Sequence, residues 1–467
     1  MTGDVLKQGK AASAPHPKGL YYLAFTEAWE RFSYYGMTGL LVLYMVNQLL
    51  LPGHVEHVAG FEGFRGFLEG LYGRELSGQA LASAIFGLYA GFVYFTPVLG
   101  GLIADRWIGQ RNAVVAGALA MCGGHVAMAF DQSFLLALLL LVIGSGLLKG
   151  NISAQVGALY PRDDEARRTR GFAIFSMAIN VGAIGGPIVC GWLASAYGWH
   201  TGFGLAAIFM LAGLATYLIG YRHLPANVER RADEQAKLTE HDWRIIAALV
   251  GVMFITMFQS IAYYQVANTF PVWVQEHVDL NLGWFEIPVP WYQSVDPLFS
   301  IVGVPILFGL WGWQARRRGE PGDLGKIGIG AAVASLANLV LVAAILLSGG
   351  KINPLWPFLY CGLLGIGFLY YWPTLLALVS RTAPAAVNAT MMGVCFLTLF
   401  VGNNVIGWLG QFYEPLGPMS FWLLHAGIGA VGALLIILFA RPLRRALDGA
   451  ARAEPLRPGA ETVEVER

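Results

Sequence analysis

The sequence predicts an all-α integral membrane protein with twelve transmembrane helices in two six-helix bundles. Three observations point there. Only 13% of the residues are charged and 56% are hydrophobic, about half the charge that a soluble domain carries. The chain divides into twelve stretches that reach the roughly 20 apolar residues a spanning helix needs. Its basic residues also gather on alternate loops, as the positive-inside rule requires.

The elements follow in order. Residues 1–19 form a short N-terminal tail, and span one covers about 20–50. Residues 51–77 are rich in Gly and Phe (Gly60, Phe61, Gly63, Phe64, Gly66, Phe67). They read as an interfacial loop resting on the membrane, with a gating lid as the sharper alternative. Spans two to six cover about 78–104, 112–130, 134–158, 170–195 and 201–221. Residues 20–221 therefore make the first bundle. The polar, charged break at 222–244 is the linker. Spans seven to twelve cover about 245–275, 290–314, 325–348, 354–380, 387–412 and 419–440, so the second bundle is 245–440. The tail 441–467 is rich in Arg, Glu and Pro and is expected to be disordered. Periodicity does not define these helices, because a helix inside a bundle can be apolar all round.

Orientation follows from the charges. With the N-terminus inside, 25 of the 30 Lys and Arg residues fall on cytoplasmic loops and tails. These include Arg162, Arg167, Arg168 and Arg170 after span four and Arg316, Arg317 and Arg318 after span eight. Only Arg65, Arg74 and Lys351 face the other side, while Arg31 and Lys149 lie within spans. A miscounted span would scramble that asymmetry. A multi-pass protein of a bacterial inner (plasma) membrane with both termini cytoplasmic is expected, as a monomer in its lipid bilayer. No cleavable signal peptide is visible. The four cysteines (Cys122, Cys190, Cys361, Cys395) lie far apart in apolar stretches and read as small buried hydrophobes. There is no phosphate-binding glycine loop, no metal-ligand spacing and no nucleophile elbow. An enzyme, an ATP-driven pump, a bound cofactor and a nucleic-acid partner are therefore not expected.

An ionisable side chain within a span is costly, so each is a functional candidate. Five stand out: Glu27, Glu30, Arg31, Lys149 and Asp296. In span one, Glu27, Glu30, Arg31, Tyr34 and Tyr35 follow the i, i+3, i+4, i+7, i+8 spacing of one helical stripe. Two carboxylates, a guanidinium and two phenols on one face must look inward, away from lipid. A self-neutralised packing cluster is the bland alternative, though small neutral residues would serve that purpose more cheaply. Lys149 needs an anionic partner or must lose its proton. Glu27 or Glu30 can supply that partner, and such a pair is a natural proton switch, with protons as the coupling ion. His125 and His425 read as core histidines. Asp105 and Arg106, in Gly100-Gly101-Leu-Ile-Ala-Asp105-Arg106 between spans two and three, read as a gate and scaffold element.

These residues also resemble a known family. The Gly-x-x-x-Asp105-Arg106 turn is similar to that of the major facilitator superfamily. The run Glu27-x-x-Glu30-Arg31-Phe-Ser-Tyr34-Tyr35-Gly resembles the proton-dependent oligopeptide transporter (POT) family. Tyr94 in Val-Tyr94-Phe-Thr-Pro97, Lys149 in Leu-Lys149-x-Asn-Ile-Ser, Asn180 in Ile-Asn180-Val-Gly182, Gln293-Ser-Val-Asp296-Pro297 and Arg381-Thr-Ala-Pro384 extend the resemblance over the whole chain. It implies import of di- and tripeptides driven by protons. By resemblance, Arg31 and Lys149 hold the peptide carboxylate, and Tyr34, Tyr35, Tyr94 and Asn180 line its backbone. Glu27, Glu30 and Lys149 couple the proton.

The departures are specific. Phe368 stands where the family usually has a span-ten glutamate for the peptide amine. Near Gln265, a candidate substrate contact, the family offers an acid or a tryptophan, and this chain has Tyr263 and Tyr264. Thr38 and Ser176 replace an expected arginine and tyrosine, and the linker is too short for the two extra helices of many bacterial members. Asp296 stands at the usual span-eight asparagine and is the only acid within the second-half spans. It is therefore a candidate for amine binding, proton coupling or both; capping of a helix broken before Pro297 is the alternative. Two other functions remain open: transport of a different carboxylated solute, and a peptide-binding sensor with slow or inhibited transport.

Overall fold

The structure, a computed structural model, describes residues 15–161, 164–225, 238–317 and 319–452. The first fourteen residues, Arg162, Arg318, most of the 222–244 linker and the tail beyond 452 lie outside the described residues. Helices dominate. In the first half they are α1 (Lys18–Tyr44), α2 (Phe61–Tyr72), α3 (Gly78–Ile103), α4 (Gln110–Ala127), α5 (Phe134–Ala158), α6 (Glu165–Tyr197) and α7 (Trp199–Gly220). The second half holds α8 (Glu240–Tyr264), α9 (Thr269–His277), α10 (Val295–Arg317), α11 (Asp323–Leu347), α12 (Leu355–Thr382), α13 (Asn388–Gly410) and α14 (Tyr413–Arg452).

Ten of the long helices are apolar enough to cross a membrane. The other two long ones, α1 and α4, complete twelve among the described residues. Every 18-residue window of α1 contains Glu27, Glu30 and Arg31, so its own charges exclude it. Helix α4 is short and carries Arg111, Asn112 and His125. The protein is thus an all-α, multi-pass membrane protein. The segment expected as a loop at 51–77 contains α2, an amphipathic helix whose Phe61 and Leu68 are buried and whose Phe67 and Leu71 are exposed. The seventh span is interrupted: α8 stops at Tyr264, a 3₁₀ turn covers Gln265–Ala267, and α9 continues.

We call the side that carries α2 the α2 face and the opposite side the terminal face. Tyr44, His54 and His200 all gather on Asp131 at the α2 face. At the terminal face His16 reaches Tyr160, and Tyr22 stacks on His223. Helix α1 is the central member of the first half, packed between α6 and α7. Small residues allow that approach: a β-carbon at Gly182 would lie 2.5 Å from the Ala28 carbonyl oxygen, and one at Gly186 would lie 2.7 Å from Gly36 N. In lipid, packing of this kind is the main force between helices.

The largest apolar core fills the first half and crosses to Val272, Ile406 and Leu409 of the second. Two further cores divide the second half between its α2-face and terminal-face ends. The halves join along α3 and α13, and along α6 with the 3₁₀ turn Val289–Ser294 and α10. The hydrogen bonds across the junction lie toward the α2 face. Asn47 Nδ2 donates to Gln275 Oε1 (2.9 Å), Asn268 Nδ2 to Ser83 Oγ (2.7 Å), and Ser77 Oγ to the Glu414 carboxylate.

Candidate functional site

The α1 stripe faces the interior as its spacing requires. Glu27, Glu30 and Arg31 are all buried, Glu30 completely. Arg31 Nε lies 3.1 Å from Glu27 Oε1 and also contacts Glu30 Oε2. One guanidinium therefore serves two carboxylates. The set is not fully satisfied, because the buried Glu27 Oε2 and Arg31 Nη2 make no hydrogen bond among the described residues. Buried polar atoms are ordinarily paired, so these two are exceptions within the stripe.

Lys149 differs from its sequence reading. The described residues give it no direct carboxylate partner. Its Nζ lies over the Tyr34 ring at 4.4 Å and the Tyr94 ring at 5.4 Å, while Arg31 takes both acids. Cation–π contact stabilises an ammonium without neutralising it. Helix packing sets this geometry. The Thr96 hydroxyl, on α3, lies 3.0 Å from the Val142 carbonyl of α5. It is one of the contacts between the helices that carry Tyr94 and Lys149.

Aromatic contacts then run from the first half to the second. Tyr34 meets Tyr35 edge to face at 5.2 Å, and Arg31 lies over Tyr34 at 5.4 Å. Tyr94 meets Tyr264 at 6.3 Å, and Tyr264 meets Tyr263 at 4.9 Å. The Tyr263 hydroxyl donates to Asp296 Oδ2, and its ring stacks on Phe368 at 5.6 Å. Asp296 is 8% exposed and forms no salt bridge among the described residues. An unbroken series of side chains thus links two cations of one half to a lone acid of the other.

The remaining candidates lie elsewhere or contribute less. Gln265 is fully buried inside the second half. Its Nε2 donates to His425 Nε2 (3.1 Å) and lies 3.3 Å from the Ile406 carbonyl oxygen. Just before this 3₁₀ turn, Tyr264 meets Tyr94 of the first half, while Tyr263 contacts Asp296 and Phe368. Asn180 sits on α6, but its amide donates back to the Ser176 carbonyl at 3.1 Å. Asp105 and Arg106 are exposed in a π turn, Ala104–Ile108, at the terminal face. His425 is held by Gln265 and by the Phe421 carbonyl, and His125 is buried without a hydrogen bond among the described residues.

Sequence reasoning noted Tyr263 and Tyr264 only as neighbours of Gln265, and it missed Trp291 and Ser294. Trp291 Nε1 donates to the Ile188 carbonyl and Ser294 Oγ to that of Ile184, each at 2.8 Å. No residue in the sequence marks them, because Pro187 frees the carbonyl of Ala183 rather than those of Ile184 and Ile188. A proline within α6 leaves that helix one backbone hydrogen bond short.

Buried charges in both halves of a multi-pass helical protein point to a membrane carrier. The family profile described as Major Facilitator Superfamily matches residues 31–406. "Uncharacterized transporter YclF" of Bacillus subtilis (strain 168) is 29% identical, over 93% of this chain and 96% of its own. "Peptide transporter YePEPT" of Yersinia enterocolitica is also 29% identical, with the same coverage. A mutant of peptide transporter POT, solved in complex with alafosfalin, superposes with a TM-score of 0.82 at 27% identity, covering 95% of this chain and 99% of its own. The chain belongs to the Major Facilitator Superfamily, as a member of its POT family. It is a transporter, and its relatives are transporters rather than enzymes.

Proposed function

We propose that the protein is a proton-coupled symporter that imports di- and tripeptides, or peptide-like solutes, across a bacterial inner membrane by alternating access. The observation that carries this reading is the series from Arg31 and Lys149 through Tyr34, Tyr94, Tyr264 and Tyr263 to Asp296. A zwitterion fits between such ends, with its carboxylate on the two cations and its ammonium on Asp296. The relative "Peptide transporter YePEPT" supports the same class of cargo.

Proton coupling follows from the triad. Glu27 and Glu30 together hold one guanidinium. A proton on either acid removes part of that hold, and Arg31 then joins Lys149 in binding the cargo carboxylate. Loss of the proton restores the triad and expels the carboxylate. Tyr34, Tyr35 and Tyr94 line the path between the charges, and Asn180 borders it on α6. The junction at the α2 face supports an inward-facing state, and the basic loops support both termini in the cytoplasm.

Proteoliposome flux of a small peptide panel under an imposed proton gradient tests the reading. Accumulation that requires the gradient is the expected result. Peptides blocked at the amine should compete at least tenfold more weakly. Indifference to the amine would favour another carboxylated solute, and binding without flux would favour a sensor.

A further inference from the structure

A crevice of about 320 Å³ lies between the halves at the α2 face. Leu40, Leu43, Gly191 and Trp199 wall one side, and Glu286 and Pro290 the other. The 3₁₀ turn Val289–Ser294 contributes Val289 and Pro290 to its wall; the turn belongs to the second half but is seated on α6 of the first. The fit is close: a β-carbon at Gly191 would lie 2.9 Å from Pro290 Cβ. The indole of Trp291 and the hydroxyl of Ser294 fasten the turn to the carbonyls of Ile188 and Ile184, on either side of Pro187. Gln293 sits between these donors and beside Gly39 of α1. Its Nε2 is buried and makes no hydrogen bond among the described residues. An unpaired buried donor penalises the closed position, as befits a part that must also open. Two residues beyond Ser294, in the first turn of α10, is Asp296.

We propose that the crevice is the closed remnant of the cargo entrance and that the Val289–Ser294 turn is its bolt, with Trp291 and Ser294 as positioning residues that hold the bolt on α6. This rests on the alternating-access reading and adds the route. Cargo with a cationic end meets Glu286 at the rim and, once the bolt lifts, Asp296 behind it. Neutral hydrogen bonds to two carbonyls suit a bolt, because each contributes modestly and can be exchanged for water.

The test uses the full chain carrying Gln293→Cys in right-side-out vesicles, with a membrane-impermeant maleimide added outside. The four native cysteines are buried. The introduced thiol should be protected in this parent. Adding Trp291→Phe and Ser294→Ala together should speed its labelling about tenfold or more, given the net worth of two hydrogen bonds. Ser294→Thr keeps a hydroxyl and should keep the protection, which loosened packing alone would not do. Unchanged labelling in the double variant would overturn the bolt. Glu286→Gln, on an otherwise native chain, should raise KM for amine-bearing peptides while leaving kcat unchanged; an unaltered KM would remove the crevice from the route. Faster labelling in a protein that moves no peptide would leave the bolt standing and sink the proposed cargo instead.

Discussion

Arg31 and Lys149 are both buried cations with opposite arrangements. Arg31 contacts two carboxylates, whereas Lys149 lies against the Tyr34 and Tyr94 rings and forms no salt bridge among the described residues. Arg31→Ala would leave two buried acids side by side, so a loss of about 3 kcal/mol in folding stability is expected, read as a lowered melting temperature in detergent. Lys149→Ala breaks no salt bridge among the described residues. It should melt within a few degrees of the parent yet abolish gradient-driven accumulation; normal accumulation would rule out its role. Asp296→Asn keeps the size and a partner for Tyr263 but loses the charge, and it should weaken selection for a free peptide amine about tenfold. The α1 stripe was legible in sequence because helical spacing and the cost of charge in lipid determine it together. The partner of Lys149 was not, since either acid lay within reach and only three-dimensional distance separates Arg31 from Lys149. Gln265 was misread for a similar reason: its partners His425 and Ile406 lie far along the chain, and no residue type there announces them.

Among the elements, the seams between helices carry the most weight. Gly186 lets α6 meet α1 beside the charged stripe, with no room for a side chain. Gly186→Leu should cost about 2 kcal/mol or more by overpacking and should weaken peptide binding through displacement of α1. Gly87 and Gly407 form the matching seam between α3 and α13: a β-carbon at Gly87 would lie 2.6 Å from Gly407 Cα. Because that seam joins the two halves, Gly407→Val should leave each half folded and hinder closure at the α2 face. Impermeant thiol labelling at an added Gln293→Cys should rise in this variant; continued protection would show that the seam tolerates bulk. Helix α2 also contributes to the closure. Glu69 Oε1 accepts from Leu76 N, just before the Ser77 that reaches Glu414. A hydrogen bond from Arg65 holds the Glu69 carboxyl below its ordinary range. Its buttress should therefore survive mild acid and be lost only as pH falls through that lowered value. Most of the long helices lie within a few residues of the expected spans, but the last runs from Tyr413 to Arg452 rather than 419–440 and the seventh is broken at Gln265–Ala267. Sequence analysis missed α2 because the hydrophobic residues there are interleaved with glycine.

At the scale of the whole molecule, the alternation of basic loops predicts which face of the twelve long helices lies inside. The charge count anticipates an α2 face turned outward. The substitutions Glu69→Cys and Arg381→Cys, on opposite faces, should therefore label from opposite sides of the membrane in intact cells and inverted vesicles. Labelling of both from one side would undo the topology. The bundle architecture was readable before any coordinates, because lipid permits few alternatives to helices for a chain this apolar. The way the halves meet was not readable. It depends on small residues and backbone carbonyls whose pairing crosses more than a hundred residues of chain.

Helix α1 has a consequence for biogenesis. Three charges near its middle each add about 3 kcal/mol to the free energy of entering lipid unaided. Its shelter, α6, is not complete until Tyr197 has been synthesised. During that interval the nascent protein owns a first segment that the bilayer would rather reject. A chain arrested before residue 165 should thus be extracted by alkali or degraded, whereas one arrested after residue 225 should resist both.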